Sequence, residues 1–195
     1  MLRAGKHAVR VSIRPAPGYV GVLRRFALRI HRPSLRIGSH GPGVLALKRR
    51  LAELGYALPS VDSGYGHGTS EAVLAFQKVH GLLRTGRVDR RFWRVLAGAS
   101  RPRPHVLRGD YLEVSKARQT LYEVRHGEVE RVIHVSTGAT GNTPVGTWRV
   151  YREVFGWDWV LYHPMYFLRG FAIHGYPSVP VWPASHGCVR IPLWL

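Results

Sequence analysis

The chain has 195 residues, 45% of them hydrophobic, an ordinary share for globular protein that excludes global disorder. Its 29 basic and 11 acidic residues leave a formal charge of +18, so its surface attracts anions: nucleic acid, acidic lipid or an anionic wall polymer. No apolar run approaches the ~20 residues of a membrane helix, and the basic start MLRAGKHAVRVSIR lacks the apolar stretch of a secretory signal.

At about 100–200 residues per domain, one or two domains fit. Residues 1–33 alternate weakly in HAVRVSIR and RRFALRIHR, around the turn formers APGYVG. They read as two strands, too few to bury a core. The expectation is that they are the C-terminal strands of an incomplete upstream β-domain.

Residues 34–97 change to a helical period. Val44, Leu47, Leu51 and Leu54 form one stripe, and Gly55 stands where a helix ends in a left-handed residue. After the glycine-rich loop VDSGYGHG, the stretch TSEAVLAFQKVHG puts Ala72, Val73, Phe76 and Val79 on one face. Thr69 is its expected N-cap, Glu71 suits the positive end of the dipole, and Gly81 closes it. A third helix is expected from Asp89, carrying Phe92, Val95 and Leu96 inward. Three helices of this size make a small all-α bundle. The pattern of Leu35, Gly38, Gly43, Val44, Leu51, Leu54, Gly55 and Tyr56, continued by Gly66, Thr69, Ala72, Val73, Phe76, Gln77, Gly81 and Leu82 and by Val88, Asp89, Trp93 and Leu96, resembles the three-helix peptidoglycan-binding domain found beside many wall enzymes. Taken singly, each of these residues also reads as core or turn.

Residues 98–105, GASRPRPH, form a basic Pro-rich linker, stiff rather than a free tether. From 106 to 195 the chain reads as β. YLEVS is a strand, and QTLYEVRHGEVERVIHVST is a hairpin turning near His126 and Gly127, with Val129, Arg131, Ile133 and Val135 expected on one side. GATGNTPVGTWRVYREV then supplies a loop and another strand, and the aromatics of FGWDWVLYHPMYF read as core or as the lining of a groove.

The chemistry concentrates in FAIHGYPSVPVWPASHGCVRIP, which holds the lone cysteine, Cys188. A thiol attacks a carbonyl as thiolate, so it needs a neighbouring imidazole or positive field. His174 ends the apolar run FAI, which reads as a strand, and a rigidly held imidazole serves as base and then acid. His186 lies two residues before the sulfur and shares its side if the segment is extended. Gly187 allows close backbone approach, and the amides of Gly187 and Cys188 are candidate oxyanion donors. Arg190, two residues on, suits a substrate carboxylate or is one more surface cation. His174, His186 and Cys188 are also zinc-type ligands, but that set needs a fourth partner, and no CxxC or HExxH spacing is present.

SHGCVR, preceded by IHG and further upstream by STG and TPVG, resembles the active-site signature of the L,D-transpeptidase catalytic domain of YkuD type, over about Tyr111 to Ile191. The residues that carry it are Ser136, Thr137, Gly138, Thr143, Pro144, Gly146, Ile173, His174, Gly175, Ser185, His186, Gly187, Cys188 and Arg190. The resemblance implies a multidomain chain, a three-helix bundle followed by a mainly β, sandwich-like catalytic domain. It implies Cys188 as nucleophile and His174 as proton acceptor and donor. Ser185, His186, Gly187 and Gly175 would support the oxyanion site, with a backbone carbonyl near His174 or Gly175 orienting the imidazole, and Arg190 would lie near the donor stem. The reaction implied is a crosslink between diaminopimelates of two peptidoglycan stems through a thioester, or L,D-carboxypeptidase activity if water replaces the amine. No metal or organic cofactor is implied. The partners would be stem peptides and glycan, in the cell wall or periplasm outside the cytoplasmic membrane. Only seven residues follow Cys188, so the catalytic domain is expected to be incomplete at its C-terminus. The span between His174 and Ser185 is also shorter than in some relatives.

Two other function classes fit parts of the chain. A non-catalytic wall-binding protein would use the helical region alone. A nucleic-acid binder would use the charge alone, and no helix-turn-helix, RNP or zinc-finger signature supports it.

Overall fold

A computed structural model of the chain describes residues 5–12, 17–18, 21–30 and 32–195. The chain divides into two compact units, Met1–Pro33 and Ser34–Leu195. In the first, β1 (Gly5–Ser12) and β2 (Leu23–Ile30) pair antiparallel from Gly5↔Ile30 to Ser12↔Leu23. Residues 16, 19 and 20 of the expected APGYVG turn lie outside the described residues. Val9, Val11, Leu23 and Phe26 are exposed.

The second unit opens with helices. Pro42 starts α1 (Pro42–Glu53), where its missing N–H costs nothing, and Val44, Leu47 and Leu51 are buried along it. Gly55 follows at φ 84°, the left-handed turn that ends the helix. The second helix, α2 (His67–Val79), begins two residues before the expected cap. Gly66 is its N-cap, and Thr69 sits buried within the first turn because that side of the turn faces the bundle core. Asp89 does cap α3 (Arg90–Gly98), accepting from the Phe92 amide at 2.7 Å. Gln77 of α2 orders the approach to α3: its carbonyl oxygen accepts from the amides of Thr85 and Gly86, and its amide group donates to the Arg87 carbonyl at 2.9 Å.

Two sheets follow. The first contains β3 (Tyr111–Ser115), β4 (Thr120–Arg125) and β5 (Glu128–His134) in chain order. His126 and Gly127, both at positive φ, make the tight β4–β5 turn. The second contains β6 (Arg152–Glu153), β7 (Trp157–Asp158), β8 (Leu161–Leu168), β9 (Phe171–Tyr176) and β10 (Val189–Pro192). Its order is β10-β9-β8-β6, with β7 also on β8; β10 and β9 are parallel and the other pairs antiparallel.

The result is three layers. One face of the first sheet (Tyr122, Val124, Val129, Val132) shares a core with Val73, Phe76, Phe92 and Trp93 of the helices. Its other face (Leu121, Ile133, Val135) packs on Ile173 and Val189 of the second sheet. Val129 therefore does not share a side with Ile133 and Val135. The register shifts between Glu123 and Val124, and such a bulge reverses which face later residues occupy. The helical layer also pairs with β5 directly, through Val132 N–H to Gly55 O at 2.8 Å and Ala57 N–H to Val132 O at 3.0 Å. The basic linker is tied down as well: Arg101 donates to the carbonyls of Val129 and Glu53. No helix among the described residues is long and apolar enough to cross a membrane.

Candidate active site

Alternation along the second sheet decides which residues meet. Ile173, Val189, Met165 and Ile191 turn inward to the sandwich core, so their neighbours in sequence turn to the opposite face. The parallel register sets Arg190 opposite His174 and Val189 opposite Ile173. Cys188 stands just before β10, and its thiol accepts from the Ala172 amide, which sets it beside Ala172. Cys188, His174 and Arg190 thus rise from one face, with the thiol one diagonal step from the imidazole. The Cys188 thiol points at the Gly170 carbonyl, 3.8 Å away.

The imidazole is oriented by its own backbone. His174 is almost fully buried, and Nδ1 lies 2.9 Å from the Gly175 carbonyl. A carbonyl only accepts, so Nδ1 carries the proton and Nε2 keeps its lone pair, the tautomer a general base needs. Burial pulls the His174 pKa below the usual histidine range; the Gly175 carbonyl opposes that shift and the Arg190 charge adds to it. Burial likewise raises the Cys188 thiol, against the Ala172 amide and the Arg190 guanidinium, which favour thiolate. Both shifts favour the neutral forms, a thiol and a free imidazole, over a preformed ion pair. Arg190 does not extend freely into solvent. Its guanidinium carbon is 4.1 Å from the centroid of Tyr176, a stack that fixes it near both groups.

The turn that delivers the thiol is clamped from two sides. Ser185 Oγ donates to the Cys188 carbonyl at 2.6 Å and accepts from the Gly187 amide at 3.0 Å. Of the two candidate oxyanion donors, the Gly187 amide is thus already engaged. Residues 186–188 bend rather than run extended, Gly187 has φ 136°, and the His186 side chain is exposed. From the loop 138–143, Thr143 Oγ1 donates to the Gly187 carbonyl at 2.7 Å and Asn142 Nδ2 to the His186 carbonyl at 2.7 Å. Gly138 has to be glycine, since a Cβ there would lie 2.1 Å from Asn142 Oδ1 and 3.1 Å from Gly187 Cα.

The helical layer holds the span between His174 and Ser185. Arg84 donates to the Val181 carbonyl at 2.9 Å. Lys78 of α2 lies against His134, whose Nε2 is 2.8 Å from the Val179 carbonyl. Ser136 Oγ secures the next turn by donating to Trp182 O at 2.7 Å.

Sequence reasoning missed Asn142, Lys78, Arg84 and His134, and also a cluster on β6–β8 in which Tyr166 Oη donates to Asp158 Oδ2 at 2.8 Å and Arg152 pairs with the same carboxylate at 3.2 Å. Asn142 alone left a signal, inside the turn-forming GNTPVG; the others look like ordinary helix or strand polar residues. Among the described residues no group of three or more His, Cys, Asp or Glu side chains is placed to hold a metal ion. A cavity of about 310 Å³ lies away from the thiol, in the helical layer, lined by Lys48, Asp62, Tyr65 and Thr69 among others.

Comparison with known proteins agrees with this layout. Residues 40–96 match the peptidoglycan binding domain family, and residues 109–194 match the L,D-transpeptidase catalytic domain family, YkuD. No curated protein matches. Among solved structures, an L,D-transpeptidase (residues 123–326) from Xylanimonas cellulosilytica superposes with a TM-score of 0.77 at 38% identity, covering 80% of this chain and 84% of that one. An L,D-transpeptidase (Yku) from Stackebrandtia nassauensis matches at 24% identity with a TM-score of 0.44, covering 81% of this chain and 84% of that one, too weak a likeness to bear on the argument. With a helical peptidoglycan-binding layer, a mainly β catalytic part and a relative of 38% identity along most of both chains, this protein belongs to the L,D-transpeptidase family.

Proposed function

We propose that the chain crosslinks peptidoglycan stems through a thioester on Cys188, joining two diaminopimelate residues outside the cytoplasmic membrane. The observation that carries this reading is the Cys188 thiol meeting the Ala172 amide, two residues before His174 on the same strand, with Arg190 opposite His174. His174 Nε2 removes the thiol proton as Sγ attacks the carbonyl at the L-centre of the donor diaminopimelate. The developing oxyanion meets the Cys188 amide. The carbon–nitrogen bond then breaks, the terminal D-alanine leaves with the proton from the imidazolium, and a thioester remains. An amine of a second stem attacks the thioester, gives its proton to His174 and expels the sulfur, which recovers that proton. Arg190, stacked on Tyr176, supplies positive potential toward a stem carboxylate. The helical layer keeps glycan and stems near this face.

The test is incubation with a disaccharide-tetrapeptide, reading D-alanine release and dimer by mass spectrometry. Release with dimer is expected from the parent chain and neither from Cys188→Ala. D-alanine without dimer would indicate hydrolysis instead, and turnover surviving in Cys188→Ala would remove the sulfur from the mechanism.

A further inference from the structure

The pairings of the second sheet set four residues in one line across it. Arg152 is opposite Tyr166, Tyr166 is opposite Ala172, and the Ala172 amide meets the Cys188 thiol. Residues paired across a ladder point to the same face, so all four stand on the face that carries the thiol. Ala172 is the small member. Ala172 is fully buried between them, and the two strand spacings from Tyr166 to Cys188 come to about 10 Å.

At the far end of this line the Asp158 carboxylate is held on one side only. The Tyr166 hydroxyl and the Arg152 guanidinium both contact Oδ2, and no hydrogen bond reaches Oδ1 among the described residues. The Arg152 side chain is 57% exposed and that of Asp158 31%, so each has an edge left for a ligand. The guanidinium also sits 5.1 Å from the Tyr166 ring centroid, which fixes its plane. A free carboxylate oxygen beside a guanidinium edge is complementary to an ammonium and a carboxylate on one carbon.

We propose that Arg152, Asp158 and Tyr166 form a specificity subsite for the free α-amino-acid end of the donor's side chain. Arg152 takes its carboxylate, Asp158 takes its ammonium, and Tyr166 holds Asp158 in place. The proposal rests on the reading above that the donor residue is diaminopimelate, whose side chain ends in such a centre three methylenes from the α-carbon next to the reacting carbonyl. An attacking amine has to come within bonding distance of the thioester carbon. A cluster two strands away therefore suits the donor's side chain and not the acceptor amine. A donor ending in a simple amine would meet Asp158 and offer no carboxylate to the outer edge of Arg152.

Binding tests this without requiring turnover. On the full chain carrying Cys188→Ala, calorimetry compares two tetrapeptide stems that differ only at the third residue, meso-diaminopimelate or L-lysine. The diaminopimelate stem is expected to bind about tenfold tighter, the worth of one charge-assisted pair. That ratio is expected to collapse toward one in Arg152→Gln, to recover in part in Arg152→Lys, and to shrink in the conservative Tyr166→Phe. No measurable preference in the Cys188→Ala chain, or a preference that survives Arg152→Gln, overturns the subsite. The catalytic reading is scored separately, by the mass of the Cys188 chain after exposure to the diaminopimelate stem. Absence of an acyl adduct would overturn the thioester and leave the binding ratio to be judged by itself.

Discussion

Lys78 Nζ lies 2.6 Å from His134 Nδ1, joining the helical layer to the first sheet beneath the catalytic sheet. The same nitrogen donates to the carbonyls of Gln119 at 2.9 Å and Val135 at 2.8 Å. His134 Nε2 faces the Val179 carbonyl, so Nε2 holds the ring proton and Nδ1 accepts from Lys78. One helix side chain thus reaches, through one imidazole, the segment that leads into the Cys188 turn.

This contact makes stability depend on pH. Burial, with the Arg84 charge nearby, lowers the Lys78 pKa from 10.5 to about 6, and burial with the Lys78 charge lowers that of His134 from 6.5 to about 3. Between each pair of values the unfolded chain binds a proton that the folded chain has shed, so stability rises with pH across both windows. Urea midpoints taken from pH 5 to pH 9 should climb for the parent chain, and Lys78→Met should flatten the part above about 6. An unchanged slope in Lys78→Met would place the titrating group elsewhere.

Removing the Arg84 contact frees the Val181 carbonyl and one anchor of the 177–184 span. Arg84→Ala should lower stability by about 1–3 kcal/mol, the range for a hydrogen bond to a charged group. It should also lower kcat more than it raises KM, because what it loosens is the approach to the thiol. Thermal unfolding and steady-state D-alanine release measure the two effects. A KM change alone would mean that the span touches substrate rather than positioning the nucleophile.

Thiol alkylation reports the resting state of the dyad. With Cys188 raised by burial and His174 lowered, iodoacetamide should label Cys188 at a rate that rises with pH through a midpoint above the ordinary cysteine value of about 8.5. A midpoint below about 7 would reveal a preformed thiolate–imidazolium pair instead.

Gly138 and Gly187 are held to glycine by contact. A Cβ on Gly187 would lie 2.3 Å from Phe171 Cε1, at a φ of 136° that L-residues avoid. Gly138→Ala and Gly187→Ala should each cut turnover by about a hundredfold, the usual cost of an ångström-scale shift in a nucleophile. Circular dichroism distinguishes this from unfolding, and near-normal turnover in Gly138→Ala would show that the 138–143 loop does not hold the thiol turn.

Much of this was legible before any coordinates. The stripe Val44–Leu47–Leu51, the glycine after it and Asp89 before α3 state their structure locally, because helix period and caps depend on a few neighbouring residues. The same holds for the strand FAIH. The start of α2 was misplaced because Thr69 satisfies the chemistry of a cap, while burial against the bundle decides its place. The face of Val129 was misread because a bulge leaves no mark on simple alternation. Lys78, Arg84 and Arg152 were missed for a different reason. The partners of Lys78 and Arg84 lie 56 and 97 residues away, and Arg152 meets Asp158 and Tyr166 across sheet pairings that only the folded topology brings together.

Because Phe76 and Trp93 share one core with Tyr122 and Val132, the helical layer and the first sheet pack as one body. Under the proposed function, a glycan strand held by the helices would be presented to Cys188 at a constant reach, as by a fixed-jaw caliper. The stem acted upon would then be set by this built-in distance, and not by how far a tether can swing.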